Sequence, residues 1–391
     1  MLERYKNSYL SYFLMYNFYY LSWAVFSALI SVYLLGKGFK ASEVSLVVST
    51  SFLTSMIFQP VIGMFSDRYD VKKVNFVLFA LAGIGGLAFM FASSLITITI
   101  GYSFVLTLIN GTNPVMEKIA SSSPYQYGKI RIWGTIGYAI GSWLAGMIYQ
   151  LISPSAIFIC FIITMILCII GLLGTKTPSE LGQNNEEKTK TSTLFHNHKY
   201  LYYLIIAAIF QGITNMANTY IPAMFQNDGL KVSLVSTILS FAVLCEAPLV
   251  LFSHKFMDKL TNKRLLIIAY SMITIQFLCY ALNVWLPLKV IIPLITKHPS
   301  GMLFIMINLK IVSTLVPKEH QITALAFVQT LRNLSSIIFQ NIAGQILDIS
   351  SYQIPYMILT PIALSLIVIV VGFVLVILFK VPSGKDQKLF N

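Results

Sequence analysis

Very few ionisable side chains lie inside the apolar stretches of this sequence, and those few are the residues that could do chemistry there. Among the acidic residues, Glu246 lies in the middle of an apolar stretch and Glu117 lies at the end of another. The basic residues in such stretches are Arg131, Lys297, Lys310 and Arg332, and His298 follows Lys297 directly. A charged side chain at the centre of a membrane helix costs about 2.5–3.5 kcal/mol on insertion scales, so it is expected to be paired or to face a water-filled cavity. We therefore interpret these residues as parts of a buried polar site.

Polar residues also follow helical spacing along three of the apolar stretches. Arg131, Thr135, Tyr138 and Ser142 share one face of a helix, because they are spaced by four, three and four residues. A second face carries Gln211, Asn215 and Asn218, and a weaker one carries Asn17, Tyr20 and Ser27. Such residues either line a cavity or form hydrogen bonds between helices that are worth about 0.6 kcal/mol each. The sequence leaves both interpretations open.

The elements that must position these residues are long apolar segments. Of the 391 residues, 57% are hydrophobic and 10% are charged, whereas a soluble domain carries about a quarter charged residues. This composition excludes a water-soluble enzyme, a disordered chain and a nucleic-acid-binding protein. Because about 20 apolar residues cross a bilayer as a helix, we predict an all-α membrane protein with twelve transmembrane helices. They lie near residues 8–34, 44–65, 74–94, 97–116, 130–152, 155–174, 200–225, 233–253, 265–285, 288–315, 321–347 and 354–379.

The predicted helices form two groups of six, separated by one long polar stretch. We predict an N-terminal six-helix bundle over 1–174, a cytoplasmic linker over 175–199, and a C-terminal six-helix bundle with a short cytoplasmic tail over 200–391. The net charge of +13 reflects topology, since most of the 27 basic residues fall in the termini and in the loops on one side. The positive-inside rule places both termini in the cytoplasm. We expect a multi-pass protein of the cell (plasma) membrane, namely a bacterial inner membrane.

The two halves repeat one another at a constant offset of 191 residues. The segment from Gly38 to Ser42 reads GFKAS, and the segment from Gly229 to Ser233 reads GLKVS. The same offset relates the charged loops 67–73 and 258–264. Parallel repeats of this kind are typical of transporters that carry a solute at a site near the bilayer midplane. We therefore predict that the two bundles are pseudo-symmetric.

The loop after the second predicted helix carries a motif. Residues 63–73 read GMFSDRYDVKK, which resembles the G-x-x-x-D-[RK]-x-G-x-[RK]-[RK] loop of the major facilitator superfamily, except that Asp70 replaces the second glycine. The resemblance implies the major facilitator fold. It also implies that the loop acts as a conformational latch that does not contact the substrate. The latch residues would be Gly63, Asp67, Arg68, Lys72 and Lys73.

A narrower resemblance covers nearly the whole chain. Phe58-Gln59-Pro60 and the segment 127–139, YGKIRIWGTIGYA, are similar to those of the lactose permease-like oligosaccharide/proton symporters, and nucleoside/proton symporters and phenylpropionate-type permeases share much of the pattern. The resemblance implies that Glu117 and Arg131 form the charge pair that hydrogen-bonds sugar hydroxyls. It also implies that Tyr138 is the aromatic residue on which the sugar ring stacks. Asn215 and Asn218 align with positions that are acidic in that group, and we assign them to the substrate site as uncharged residues.

The same resemblance bears on proton coupling, which needs a buried carboxylate with a cation close to it. Glu246 matches a family glutamate between the sugar and the proton site, Arg332 matches a family lysine, and Lys297 or His298 stands near the family histidine. The dedicated proton-carrying glutamate has no counterpart, because Ser300 and Gly301 stand there. Three alternatives remain open: Glu246 serves both the sugar site and the proton site, the protein is a uniporter, or it couples transport differently.

The leading hypothesis is a secondary active transporter, not an enzyme, that imports a small polyhydroxylated solute (a sugar, oligosaccharide or glycoside) with protons by alternating access. A nucleoside/proton symporter and a drug/proton antiporter are the alternatives of the same architecture. A non-transporting sensor is disfavoured by the short linker. No metal and no cofactor other than a coupling proton are expected. The expected partners are the small-molecule substrate and the lipid bilayer, with no nucleic acid, and the protein is expected to be a monomer.

Overall fold

The computed structural model describes residues 5–176, 196–282, 284–317, 320–349 and 354–384, and within these ranges it contains helices and no strand. The greater part of the predicted linker and the end of the predicted tail lie outside the described residues. The helices are α1 (Tyr9–Ser27), α2 (Ile30–Gly36), α3 (Ala41–Arg68), α4 (Val71–Met90), α5 (Leu95–Ser121), α6 (Tyr127–Leu151), α7 (Ala156–Gly174), α8 (His198–Asn227), α9 (Val232–Leu244), α10 (Glu246–Leu251), α11 (Ser253–Phe256), α12 (Asn262–Ala281), α13 (Leu286–Leu315), α14 (Gln321–Ile349) and α15 (Ile354–Leu378).

These elements amount to twelve membrane-sized helical segments. Two of the predicted helices are each divided: the first consists of α1 and α2, and the eighth consists of α9, α10 and α11. Among the described residues, nine stretches are long and apolar enough to cross a membrane by length and composition. The all-helical architecture with twelve helices is therefore confirmed.

The membrane segment predicted near 233–253 is present, but its helix is interrupted at Cys245, because α9 ends at Leu244 and α10 begins at Glu246. The physical reason is Pro248, which has no backbone N–H for the carbonyl of Leu244 and whose ring would collide with that carbonyl in a continuous helix. Glu246 therefore stands at the first residue of a short helix and not in the middle of a long one. The proline could have been read from the sequence.

Contacts divide the chain into two compact units. One holds Met1–Gly182 and Thr219–Leu244, and the other holds Gln183–Asn218 and Cys245–Asn391. Unit one thus includes the end of α8 and all of α9. Within it, the Tyr220 hydroxyl donates to the carbonyl of Ala41 at 2.8 Å, and the backbone N–H of Ser233 donates to Oε1 of Gln150 at 2.8 Å. This division by contacts differs from the division by sequence at 174 and 200, which remains a prediction.

Inside unit one, α1 packs against α6 and against α7. The approach to α6 is very close at Gly137, where a Cβ atom would lie 2.2 Å from the backbone oxygen of Asn17. Small residues at such positions let two membrane helices bring their backbones together. The lack of a side chain at Gly137 therefore fixes the distance between α1 and α6.

The helix boundaries repeat at the offset seen in the sequence. The helices α3 and α9 begin 191 residues apart, as do α5 and α13, and both ends of α4 recur at that offset in α12. Gly38 and Gly229 precede α3 and α9 with φ values of +89° and +91°, a left-handed conformation that favours glycine. The backbone N–H of the next residue donates to Leu34 in one case (3.2 Å) and to Phe225 in the other (3.1 Å). These shared boundaries support the predicted repeat, and the pseudo-symmetry of the bundles remains a proposal.

Candidate functional site

The carboxylate of Glu117 in α5 accepts hydrogen bonds from three tyrosines. Its Oε1 accepts from the hydroxyls of Tyr16 and Tyr20, both at 2.7 Å, and its Oε2 accepts from the hydroxyl of Tyr127 at 2.6 Å. The amide of Asn113, one turn before Glu117, donates to the Tyr20 hydroxyl at 3.0 Å. Hydrogen bonds to an ionised acceptor are roughly twice as strong as neutral ones. These three hydroxyls therefore hold the carboxylate in one orientation.

Arg131 lies beside this carboxylate but does not hydrogen-bond to it. Its Nε is 3.9 Å from Oε1 of Glu117, and the two side chains are 25% and 29% exposed. The guanidinium carbon lies 5.6 Å from the centre of the Tyr20 ring, which is a cation–π contact. Within the described part of the chain, the Arg131 side chain donates no hydrogen bond. A guanidinium has five N–H donors, so this side chain offers donors that the protein itself does not use.

Helix periodicity brings these residues together from three helices. Tyr16 and Tyr20 are four residues apart in α1, and Tyr127 and Arg131 are four residues apart in α6, so each pair lies on one helix face. The glycine contact between α1 and α6 brings these two faces within reach of each other. We call the group of Tyr16, Tyr20, Glu117, Tyr127 and Arg131 the tyrosine–carboxylate cluster.

Further aromatic side chains lie on α1 and α6, the helices that carry most of this cluster. Tyr138 stands seven residues after Arg131 in α6 and is half-buried. The rings of Tyr20 and Trp23 are stacked, with centroids 6.0 Å apart and planes 23° apart. The indole Nε1 of Trp133 donates to the Tyr9 hydroxyl at 2.7 Å. Unit one therefore presents both charged groups and aromatic ring faces. A solute with polar and apolar faces could contact both kinds of group.

In unit two, Arg332 belongs to a closed chain of hydrogen bonds. Its Nε donates to Oε1 of Gln211 at 3.0 Å, and its Nη2 contacts the same oxygen. The Gln211 amide donates to Asn215 at 2.7 Å, and the Asn215 amide donates to the Ser336 hydroxyl at 2.8 Å. That hydroxyl donates to the backbone carbonyl of Arg332 at 2.8 Å. This relay joins α8 to α14, whereas Asn218 is exposed and has no hydrogen bond in the described part of the chain.

Glu246 and His298 form the second charged group of unit two. His298 Nδ1 lies 4.0 Å from Glu246 Oε2, and the two side chains are 21% and 15% exposed. The neighbouring Lys297 is buried, at 8% exposure, and its ammonium group makes no hydrogen bond or ion pair with the residues that the structure describes. Lys310 instead donates to the carbonyls of Met257 and Leu260. Lys310 thus holds the backbone that follows α11, whereas Glu246 and His298 lie close to each other and Lys297 precedes His298 in α13.

The predicted latch loop lies between α3 and α4. Asp70, which stands where the family has glycine, caps α4 by accepting from the backbone N–H of Lys72 at 2.9 Å and of Lys73 at 3.2 Å. Gly63 and Arg68 lie in the last turns of α3, and the side chain of Asp67 lies outside the described residues. The aspartate that departs from the motif therefore has a structural role as a helix N-cap.

The sequence pattern missed most of the residues that hold Glu117. Tyr20 was predicted as one member of a weak polar face, and Tyr127 formed part of the family resemblance, but neither was assigned to Glu117. Tyr16 and the relay residue Ser336 were not singled out at all. The available signal was spacing, because Tyr16 precedes Tyr20 by four residues and Tyr127 precedes Arg131 by four.

Comparison with known proteins is consistent with this architecture. A model of the Major Facilitator Superfamily matches residues 12–339. The uncharacterized transporter YwbF of Bacillus subtilis (strain 168) is 25% identical over 330 residues, which is 81% of each chain. The sucrose permease of Escherichia coli is 21% identical over 72% of this chain and 74% of its own length. A crystal structure of a point mutant of the nucleoside transporter NupG superposes with a TM-score of 0.84 at 14% identity, covering 95% of this chain and 99% of that one.

Proposed function

Because this chain belongs to the Major Facilitator Superfamily, we propose that it imports a small polyhydroxylated solute, a sugar, oligosaccharide or glycoside, together with protons by alternating access. Its relatives are transporters and permeases, not enzymes. One observation carries the substrate class: Arg131 is half-buried with unused donors beside a carboxylate that three tyrosines hold in place.

Hydroxyl groups match this arrangement because each can donate and accept at once. A pair of neighbouring hydroxyls on a sugar would accept from the forked N–H groups of Arg131 and donate to the carboxylate of Glu117. The 3.9 Å separation between Nε and Oε1 is too long for a direct hydrogen bond. A substrate oxygen close to both groups would complete their hydrogen bonding.

The opposite charges of this pair also bear on the charge of the solute. An organic anion would be attracted by Arg131 but repelled by Glu117, which lies beside it. A neutral solute meets no such repulsion and carries no net charge to desolvate. We therefore propose a neutral solute. The likeness to the sucrose permease supports this choice.

For coupling, we propose that Glu246 carries the proton, with His298 and Lys297 as its ionisable neighbours. Glu246 is 4.0 Å from His298, and Lys297 is a buried cation without a protein partner in the described residues. Arg332 would act in the same charge network through Gln211. Glu246→Gln should abolish the accumulation of substrate driven by a proton gradient. It should leave the transport of substrate down its own gradient unchanged. Unchanged accumulation by this variant would exclude Glu246 as the proton carrier.

The test of the substrate site is uptake of labelled galactosides, glucosides and nucleosides into membrane vesicles with an imposed proton gradient. Arg131→Lys keeps the charge but loses the planar fork, and Glu117→Gln loses the negative charge. We expect each to reduce uptake of the true substrate at least about tenfold, the equivalent of one lost charge-assisted hydrogen bond. Lys129→Gln, an exposed residue on the same helix, is the matched control. If both variants transport as the parent does, the proposed site is wrong.

A nucleoside is the second candidate substrate. The stacked rings of Tyr20 and Trp23 and the ring of Tyr138 would serve a base as well as a pyranose. The structural neighbour NupG is named as a nucleoside transporter. A thermal-shift panel with sugars and nucleosides separates the two, because a ligand stabilises the state that it binds. A shift with nucleosides alone would replace the sugar proposal.

The protein lies in a membrane as a transporter, and we propose the cytoplasmic membrane of a bacterium, with both termini inside. The excess of lysine and arginine in one set of loops supports that orientation. We further propose that it works as a monomer in the bilayer, with no cofactor besides the coupling proton.

A further inference from the structure

A small cavity lies in unit two, where α8 begins and α15 ends. Its volume is about 180 Å³. The lining residues are His198, Lys199, Tyr202, Leu378, Phe379 and Lys380. The wall thus holds two lysines and a histidine, and it includes no acidic side chain among the described residues. This cavity has no part in the transport site described above.

The two lysines of this wall are available to a ligand. Lys199 and Lys380 are exposed, and neither makes a hydrogen bond or an ion pair within the described part of the chain. Nearby, Nζ of Lys263 donates to the carbonyl of Ile377 at 2.6 Å, and the Tyr202 hydroxyl donates to the carbonyl of Leu375 at 2.9 Å. Two carbonyl groups at the C-terminal end of α15, which would otherwise repel an anion, therefore already accept hydrogen bonds from the protein.

The rest of the wall is apolar and aromatic. The ring of Tyr202 stacks on that of Phe379, with centroids 5.2 Å apart and planes 21° apart. Leu378, at the last position of α15, is 64% exposed. Tyrosine beside lysine at the end of an apolar helix is the composition of the region where lipid headgroups meet acyl chains. The cavity therefore offers cations for a phosphate and an apolar surface for the adjoining chains.

We propose that this cavity binds the headgroup of an anionic phospholipid in the cytoplasmic leaflet. Basic pockets between helix ends on this side of a membrane are suited to such headgroups. Lys199 and Lys380 contact the lipid phosphate, Tyr202 lies at the level of the glycerol, and Leu378 contacts the acyl chains. The binding site thereby ties the first helix of the C-terminal bundle to its last helix through a lipid.

The experiment is native mass spectrometry of the whole chain with phosphatidylglycerol, compared with phosphatidylcholine. We expect one preferentially retained phosphatidylglycerol on the parent. Lys199→Gln and Lys380→Gln should each lower its retention about fivefold, since one lysine near the membrane surface contributes about that factor. Lys259→Gln, an exposed lysine of the same unit that does not line the cavity, is the matched control.

Three outcomes would overturn the proposal. The first is equal retention of phosphatidylglycerol by the parent and by the variant with both lysines replaced. The second is an equal loss of phosphatidylglycerol retention in Lys259→Gln, which would indicate that the lipid is attracted by the overall positive charge and not by this cavity. The third is a thermal shift of the parent in detergent by inorganic phosphate as large as that by phosphatidylglycerol, because the cavity would then bind a free anion and not a lipid.

Discussion

At the scale of single residues, the number of hydrogen bonds to Glu117 determines how firmly its carboxylate is held. Tyr127 supplies the bond to Oε2, at 2.6 Å. We expect Tyr127→Phe to raise the half-saturating substrate concentration about tenfold, because a hydrogen bond to a charged group is worth about 1.5–3 kcal/mol. Initial rates of uptake across a substrate series measure this concentration.

The control for that change is Tyr125→Phe. Tyr125 is a neighbouring tyrosine whose hydroxyl donates to the carbonyl of Asn7 at 3.4 Å and does not contact Glu117. It should leave the half-saturating concentration within about twofold of the parent, as expected for a weak contact. Equal effects of the two substitutions would mean that the hydroxyl of Tyr127 has no particular part in the site.

The relay in unit two gives a second prediction at the residue scale. Gln211 is the acceptor for Arg332, whereas Asn215 makes bonds between neutral groups. Gln211→Leu should lower the free energy of unfolding by about 1.5–3 kcal/mol, because it leaves a half-buried guanidinium without its acceptor. Asn215→Leu should cost about 0.6 kcal/mol for each bond between helices.

Chemical unfolding in detergent measures both values. The exposed Asn218, replaced by leucine, serves as the stability control on the same helix. A larger loss in Asn215→Leu than in Gln211→Leu would show that the relay is held together by its amides and not by the arginine.

At the scale of elements, the distance between α1 and α6 decides whether the tyrosine–carboxylate cluster can form. Gly137→Ala would place a Cβ atom 2.2 Å from the backbone oxygen of Asn17. Because this nearest neighbour is a backbone atom and cannot rotate away, the helices must separate, at a cost of about 1–3 kcal/mol. We expect a lower melting temperature and weaker substrate binding, measured by scanning fluorimetry with and without substrate.

Gly128→Ala is the matched control on the same helix. A Cβ atom at Gly128 would have no neighbour within 4 Å. This substitution should leave stability unchanged or slightly improved, since alanine favours a helix over glycine. A loss of stability there as large as at Gly137 would contradict the explanation by close packing.

The presence of the membrane helices could be predicted from the sequence. The length of an apolar stretch does not show where a helix within it is interrupted. Apolar runs of sufficient length gave all twelve segments, because the bilayer sets a minimum length for a crossing helix. The division at Cys245 depends on one missing N–H at Pro248, which a hydropathy pattern does not register. The position of Glu246 at a helix start follows from that local effect.

The candidate site could be predicted less completely from the sequence than the fold could. The pairing of Glu117 with Arg131 came from family resemblance, and both residues lie together in the structure. The tyrosine donors come from two other places in the chain, 97 to 101 residues before Glu117 and 10 residues after it. Which polar side chains meet across helices depends on helix rotation and spacing, and those are set by contacts such as the one at Gly137.

At the scale of the whole molecule, the predicted orientation gives a test in intact cells. Lys231→Cys should react with a membrane-impermeant maleimide added outside, whereas Lys259→Cys should react only after the cells are opened. The parent, with its free cysteines Cys160, Cys168, Cys245 and Cys279, provides the labelling blank. The opposite pattern of labelling would invert the proposed topology.

The helix boundaries that recur at a fixed offset allow positions in the two halves to be compared one by one. The position equivalent to Glu117 is occupied by Asn308, and the position equivalent to Glu246 is occupied by Ser55. The two halves therefore share helix boundaries but differ in their ionisable groups at these positions. Under the function proposed above, this difference would allow solute preference to change in one half without disturbing proton coupling in the other.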